Sequence, residues 1–256
     1  MLSKIGEIQV LVLVAIISLI PAQSFAEIKA DSIVLALPFE GNAKDLSDNG
    51  TDGEVEGGAK FVDGKIGKAV ELDGKDDVVK INKKIGALEE VSFVHWVNST
   101  GRDAQWRVFF NNNGWKAGDI HYQLHPNKQI EFSIHGNPGG NDTFAKFMIT
   151  GKEMNKWVHV ATVYSAKEKK IWFYVNGKLD VENKWGGNPG VLDQAGIGGW
   201  DGQRQWQGLL DEFIIFNTVL EEKDIQTLMD EGIEKTLSIQ PGNKVATTWA
   251  SIRNVN

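Results

Sequence analysis

The stretch Trp206-Gln207-Gly208-Leu209-Leu210-Asp211-Glu212-Phe213-Ile214-Ile215-Phe216-Asn217 reads as one long apolar strand with two carboxylates in its middle. Period-two alternation puts Leu209, Phe213 and Ile215 on one face and Leu210, Ile214 and Phe216 on the other. Apolar residues on both faces predict a strand covered on both sides. An acidic pair inside such a strand is costly unless the charge is compensated. A bound cation would do so, as would a β-bulge that turns Asp211 to solvent or toward a loop.

The chain around this strand reads as all-β. Strands are predicted at 33–39, 69–72, 78–81, 91–97, 107–111, 120–125, 129–135 and 144–149, with a shorter one at 61–62. The four strands between 107 and 149 are each bounded by Gly, Asn or Pro. The clearest pair, 157–164 and 170–175, ends in Asn176-Gly177, a strong hairpin signal. Residues 73–76, Asp-Gly-Lys-Asp, carry the turn chemistry of a hairpin between their flanking strands. One helix is predicted over 221–231, with Ile225, Leu228 and Met229 at helical spacing and Gly232 at its end. Many short strands and one helix predict a two-sheet antiparallel β-sandwich or jelly roll.

The first 26 residues read as a signal peptide: Lys4, an apolar run from Val10 to Ile20, and small residues ending at Ala26. A membrane anchor is the alternative, but the run falls short of the ~20 apolar residues a spanning helix needs. Residues 27–234 then form one domain and 235–256 a tail. Cleavage predicts a secreted or extracytoplasmic protein without membrane insertion. The sequence has no Cys, so packing, with or without a metal, holds the exported fold. A net charge of −7 argues against nucleic acid and anionic membranes as partners and suits cations or neutral glycans.

Five stretches, in this order, resemble the LamG-like jelly-roll family of the concanavalin A-like lectin and glucanase superfamily. They are Leu37-Pro38-Phe39-Glu40-Gly41-Asn42 with Asp48-Asn49-Gly50; Gly64 to Gly74 with Asp76-Asp77; Val91 to Val97; Lys156 to Ala161 through Tyr174 to Lys178; and Gly196 to Gly199 followed by Gly208 to Glu212. The resemblance implies two curved antiparallel sheets packed face to face. It also implies a structural calcium ion, held by an acid just after the first strand and an acid on the last long strand. The matching positions are Glu40 and Asp211, with Asn42 or a loop carbonyl as further ligands; calcium takes 6–8 oxygens, so the donor types fit. The bland alternative is that Asp211 caps loop N–H groups and Glu40 is solvated. Where the family often has a polar residue this chain has Ile214, which predicts a cover over that outer face.

Three candidate chemistries follow. Trp115, Trp185 and Trp200 sit in loops rich in Gly and Asn, and an exposed indole offers an apolar face to a sugar ring. The alternative is that these rings fold back as lids on the sandwich. Trp96, Trp157 and Trp172 are assigned to the core. Catalysis would need two carboxyls about 5–5.5 Å apart. The nearest match to the Glu-x-Asp-x-x-Glu of laminarinase-like relatives, Glu71 to Asp76, ends in Asp and is broken by a Gly turn. His121 and His125 are too far apart along a strand to share an ion, about 13–14 Å. The sequence therefore predicts a module that binds a glycan or cell-surface ligand. A glycoside-active enzyme and an adhesion module with a protein partner are the alternatives.

Overall fold

The computed structural model describes residues 28–101, 104–200 and 202–238. The predicted signal peptide and residues 239–256 of the tail lie outside the described residues. In chain order the strands are β1 (Ile33–Leu37), β2 (Glu54–Glu56), β3 (Lys60–Asp63), β4 (Lys68–Asp73) and β5 (Val78–Leu88). Then come β6 (Glu90–Ser99), β7 (Arg107–Asn112), β8 (Ile120–Leu124), β9 (Gln129–Ile134) and β10 (Asp142–Met148). β11 (Trp157–Ser165), β12 (Lys170–Val175), β13 (Lys178–Lys184), β14 (Gly190–Ile197) and β15 (Gln207–Phe216) lead to one helix, α1 (Glu222–Ser238).

The strands form two antiparallel sheets, as the all-β jelly-roll β-sandwich reading expects. One has eight strands in the order β13-β12-β11-β6-β15-β4-β3, with β1 also paired to β15. The other has seven, β10-β9-β8-β7-β14-β5-β2. β4 and β5 belong to different sheets, so the Asp73–Asp76 turn is a crossover and not the predicted hairpin. Turn chemistry marks where the chain reverses but does not decide whether the flanking strands pair. Asn176-Gly177 does close a hairpin between β12 and β13, with φ of 48° and 73°. β2 and β13 are not legible as strands in the sequence. β2 has one apolar residue, and β13 is an edge strand with a largely exposed or half-buried pattern.

Between the sheets lies an aromatic-rich core. Phe93 is at its centre, 5.3 Å from Phe110, 5.2 Å from Tyr122 and 5.9 Å from Phe132 between ring centroids. Tilted and edge-on pairs of this kind add ~0.5–1.5 kcal/mol each beyond their area burial. His95 of β6 points into this core and bonds Tyr122 OH at 2.9 Å. Burial pushes its imidazole down to about 3, so it stays neutral.

The acidic pair in β15 is accommodated by a bulge. The register with β6 shifts between Asp211 and Ile214, and Glu212 has φ of 50°. The extra residue resets the alternation. Leu210, Phe213 and Ile215 face the inter-sheet core, whereas Ile214 and Phe216 face a second apolar cluster. Strict alternation puts Leu210 on the wrong face. The second cluster is covered by α1 through Ile225, Leu228, Ile233 and Leu237. The helix does not stop at Gly232; it breaks there, with φ of 70°, and resumes to Ser238. Glu212 Oε2 accepts the Ile233 N–H at 2.7 Å, at the start of the resumed segment. Among the described residues no helix is long and apolar enough to cross a membrane.

Candidate functional site

The outer face of the seven-stranded sheet gathers the polar and aromatic side chains. Register sets two rows across it. Asn111, His121, Ser133 and Asp142 are successive cross-strand partners, and Gln123, Glu131 and Phe144 form the next row. The alternate residues Ile120, Tyr122, Leu124, Ile130, Phe132 and Ile134 belong to the core. Side chains in one row stand close enough to interact directly.

The loop between β14 and β15 folds back over this face. Gly196 makes room for it: a Cβ there would lie 2.1 Å from the Gly199 carbonyl oxygen. Trp200 N–H donates to Gln203 O at 3.0 Å and Gln203 N–H to Trp200 O at 2.7 Å, which closes the loop. Val108 N–H donates to Arg204 O at 2.8 Å and ties the loop to β7. The Arg204 guanidinium is thereby held between two indoles, 5.0 Å from Trp106 and 4.9 Å from Trp200. Beyond Trp200 the row of rings continues, edge-on to His121 at 4.8 Å and then tilted to Trp115 at 4.1 Å, and Trp115 also meets His135 at 4.5 Å. On the other side Trp106 meets His125 at 5.5 Å, and His125 meets Phe144 at 5.4 Å.

Beneath the rings runs a hydrogen-bond network. Arg204 Nη1 donates to Gln123 Oε1 at 3.0 Å, and Gln123 Nε2 donates to Glu131 Oε1 at 3.1 Å. Trp106 Nε1 donates to Glu131 Oε2 at 3.3 Å. Ser133 Oγ lies 3.1 Å from Glu131 Oε1 and 2.6 Å from Asp142 Oδ1, so its one hydroxyl proton serves two carboxyl groups in turn. His121 Nε2 is 3.0 Å from the Gly114 carbonyl, which only accepts, so this nitrogen carries the proton. Burial pushes the His121 imidazole down to about 4, leaving it neutral at pH 7. Trp106 and Trp115 are 40 % and 39 % exposed, and they are the exposed tryptophans among the described residues. A groove of about 500 Å³ opens beside Trp200, lined in part by Asn113, Gly114, Gly199 and Gln205.

Of the predicted ligand tryptophans, Trp115 and Trp200 come together here and Trp185 does not. Trp185 is 8 % exposed, its Nε1 donates to Gly140 O at 2.9 Å, and its ring packs edge-on against Phe132 and Tyr164. It is a lid on the core. Its Gly-rich setting is like that of Trp115, but Gly186 abuts the Tyr164 ring and closes the loop inward. Trp106 is a site residue that the sequence reading missed. It stands two residues before Val108, the cross-strand partner of Gln123, so extending the β7 alternation back by one step would have found it. Trp157 and Trp172 are half-buried, not in the inter-sheet core. Trp172 lies on the outer side of the eight-stranded sheet with Nε1 bonded to Glu182 at 2.8 Å.

The predicted calcium ligands lie at the other sheet. Asp211 Oδ2 accepts the N–H groups of Lys65 and Ile66 at 2.8 and 3.0 Å, and Glu40 Oε1 accepts that of Lys68 at 2.9 Å. Both carboxylates thus hold the 64–68 turn, so loop N–H groups supply the compensation that β15 requires. Glu40 and Asp211 converge on one turn, but Asn42 does not join them. Its amide is spent within its own loop, accepting from Lys44 N–H at 2.9 Å and donating to Glu40 O at 3.2 Å. Burial pushes the Asp211 carboxyl up to about 7, and its Oδ1 is buried with no hydrogen-bond partner among the described residues. Carboxylate oxygens, one of them orphaned, are the donor type a hard cation takes. Asp73, Asp76 and Asp77 also approach one another, with ligand atoms within 4.8 Å. Their oxygens serve the crossover itself: Asp77 Oδ2 accepts from Asp73 N–H and Asp73 Oδ1 from Lys75 N–H, each at 2.8 Å.

Two antiparallel sheets packed face to face define a jelly-roll β-sandwich. The chain belongs to the concanavalin A-like lectin/glucanases superfamily, whose model matches residues 73–226. Among solved structures it is similar to domain 4 of AbnA, an extracellular arabinanase from Geobacillus stearothermophilus, solved in complex with arabinotriose. That match has 18 % identity, a TM-score of 0.60, and covers 77 % of this chain and 98 % of that one. It is also similar to the binding domain of botulinum neurotoxin DC, solved with rat synaptotagmin II, at 18 % identity, a TM-score of 0.61, and 80 % and 52 % coverage. The same neurotoxin domain solved with SialylT gives 17 % identity, a TM-score of 0.63, and 80 % and 52 % coverage. The chain thus spans about half the length of those neurotoxin domains. At these identities the likeness is one of fold. No curated protein sequence matches the chain.

Proposed function

We propose that this chain is an exported, non-catalytic module that binds glycans on the outer face of its seven-stranded sheet. The observation that carries this reading is the stack joining Trp115, His121, Trp200, Arg204 and Trp106. It ends in two exposed indoles and lies beside the exposed carboxylate of Asp142. Indole faces take the apolar faces of sugar rings, and a neighbouring exposed carboxylate takes their hydroxyls. The similar structures solved with arabinotriose and with SialylT lend the reading support by fold. Export rests on the signal-peptide pattern of residues 1–26. Non-catalytic action is supported by Glu131, which is 5 % exposed and accepts from Gln123, Ser133 and Trp106, leaving it poorly placed to exchange a proton with substrate.

The reading includes a structural calcium ion at Glu40 and Asp211. When bound, the ion neutralises the buried carboxylate and pins the 64–68 turn to β15. Asn42 is left out because its amide bonds within its own loop. Calcium then raises the melting temperature of the wild type, and Asp211→Ala removes that gain. A melting curve that ignores both calcium and chelator refutes the ion without touching the glycan reading.

The test of the main reading is a glycan array probed with the protein lacking residues 1–26, with calcium and with chelator. Binding confined to one glycan class, and lost in Trp106→Ala, supports it. Silence on every glycan in both conditions refutes it.

A further inference from the structure

We infer that the ligand is the interior of a neutral polysaccharide chain, laid along β8 so that successive sugars reach both Trp106 and Trp115. This rests on the glycan-binding reading and narrows it to a ligand class.

The length of the site comes from the strand. Trp115 leans on His121 and Trp106 meets His125 edge-on, at 4.1 and 5.5 Å between ring centroids. Four residues of extended chain separate those histidines by about 13–14 Å. One pyranose ring is too short to touch both indoles. The space between them is occupied by the Arg204–Trp200 part of the stack, so no ring inserts between Trp106 and Trp200. A ligand must therefore lie over the stack and extend along it. Both end platforms are exposed, and among the described residues nothing on the face closes one end into a pocket for a chain terminus.

The charge of the ligand comes from the groups that face it. Asp142 is exposed, whereas Glu131 and Asp119 are buried and accept from Gln123, Ser133, Trp106 and Lys116. Among the described residues, the exposed Asp142 and Lys116 carry opposite charges on this face and Arg204 is sandwiched between indoles, so on a chain of net charge −7 a neutral ligand is favoured over a polyanion. The exposed Asp142 carboxylate instead suits the hydroxyl groups of an uncharged sugar. Arg204 is engaged on both faces by indoles and at Nη1 by Gln123, which makes it a positioning residue for the platforms.

The experiment starts with native gels containing arabinan, xylan, β-glucan or polygalacturonate. Calorimetry follows with one- to six-unit oligomers of whichever polymer retards the protein. Retardation by a neutral polymer is expected, with affinity rising at least tenfold from one unit to six. Trp115→Ala is expected to flatten that rise while short oligomers still bind. Circular dichroism checks that this exposed-site variant is folded, and Trp106→Ala gives an independent second end. A single sugar binding within threefold of the six-unit oligomer, or preferential binding of polygalacturonate, overturns the inference and leaves the glycan reading intact. No retardation by any polymer, with a silent array, overturns both.

Discussion

Arg204→Ala removes the middle of the stack, and its effect follows from the interactions that the guanidinium makes there. Two cation–π interactions at partly exposed sites are worth ~0.5–1 kcal/mol each. The charge-assisted bond to Gln123 adds ~1.5–3 kcal/mol. Arg204 is only partly buried, so the low ends apply, giving about 2.5 kcal/mol of local order. The backbone bond from Val108 N–H to Arg204 O survives the substitution, so the loop stays attached while the two indoles lose their common support. Order that the free protein no longer has must be supplied on binding. With ~1.4 kcal/mol per factor of ten, affinity falls roughly ten- to a hundredfold. Arg204→Lys keeps the charge but not the planar group that stacks, and restores only a small part. Calorimetry against the glycan found on the array measures the loss, and a thermal melt run in parallel separates it from unfolding. An Arg204→Ala protein that binds within twofold of wild type would refute the claim that the stack orders the platforms.

Other predictions concern stability. His159 is 1 % exposed and burial pushes its imidazole down to about 3, against an unfolded value near 6.5. Below pH ~6.5 the unfolded chain binds a proton that the folded one does not, so this group's stability is lost as pH falls toward 3. His159→Gln is expected to reduce the slope of unfolding free energy between pH 4 and 6 by about one proton, and an unchanged slope contradicts it. Leu228, on the buried face of α1, is 2 % exposed; Leu228→Ala is expected to cost about 3 kcal/mol, or roughly 6–12 °C in Tm. A shift below about 2 °C would mean that the helix is not a structural cover. Asp180 Oδ2 accepts Lys146 and Phe147 N–H at 2.7 and 3.0 Å, joining the edges of the two sheets. Asp180→Ala is expected to speed hydrogen exchange at those two amides, with Asp180→Asn intermediate.

Much of the fold is legible in the sequence because its strands bury one or both faces. β6, β11 and β12 announce themselves by β-branched and aromatic runs, and Ile214 correctly implies a cover. The exceptions have physical causes. The bulge at Asp211 and Glu212 changes which residues share a face, and alternation alone contains no record of it. β2 and β13 lie at sheet edges, where little apolar surface is buried to mark them. The crossover at Asp73–Asp77 has the same local chemistry as a hairpin. The candidate site is half legible. Trp115 and Trp200 stand out by their loops, but their partners Arg204, Trp106 and Glu131 come from three separate segments. Only sheet register brings those together. Trp185 shows the converse: an indole in a Gly-rich loop is free or buried according to what lies beneath it, here Tyr164 and Phe132.

The most direct measurement is a two-dimensional NMR titration of the indole N–H signals with the glycan selected on the array. The chain has 9 Trp; all but Trp249 lie among the described residues, so their signals report known locations. The account predicts that Trp106, Trp115 and Trp200 shift together while Trp172, on the outer side of the other sheet, and the buried Trp206 stay fixed. Shifts centred on Trp172, with Trp106 and Trp115 unmoved, would place the ligand elsewhere and contradict the account.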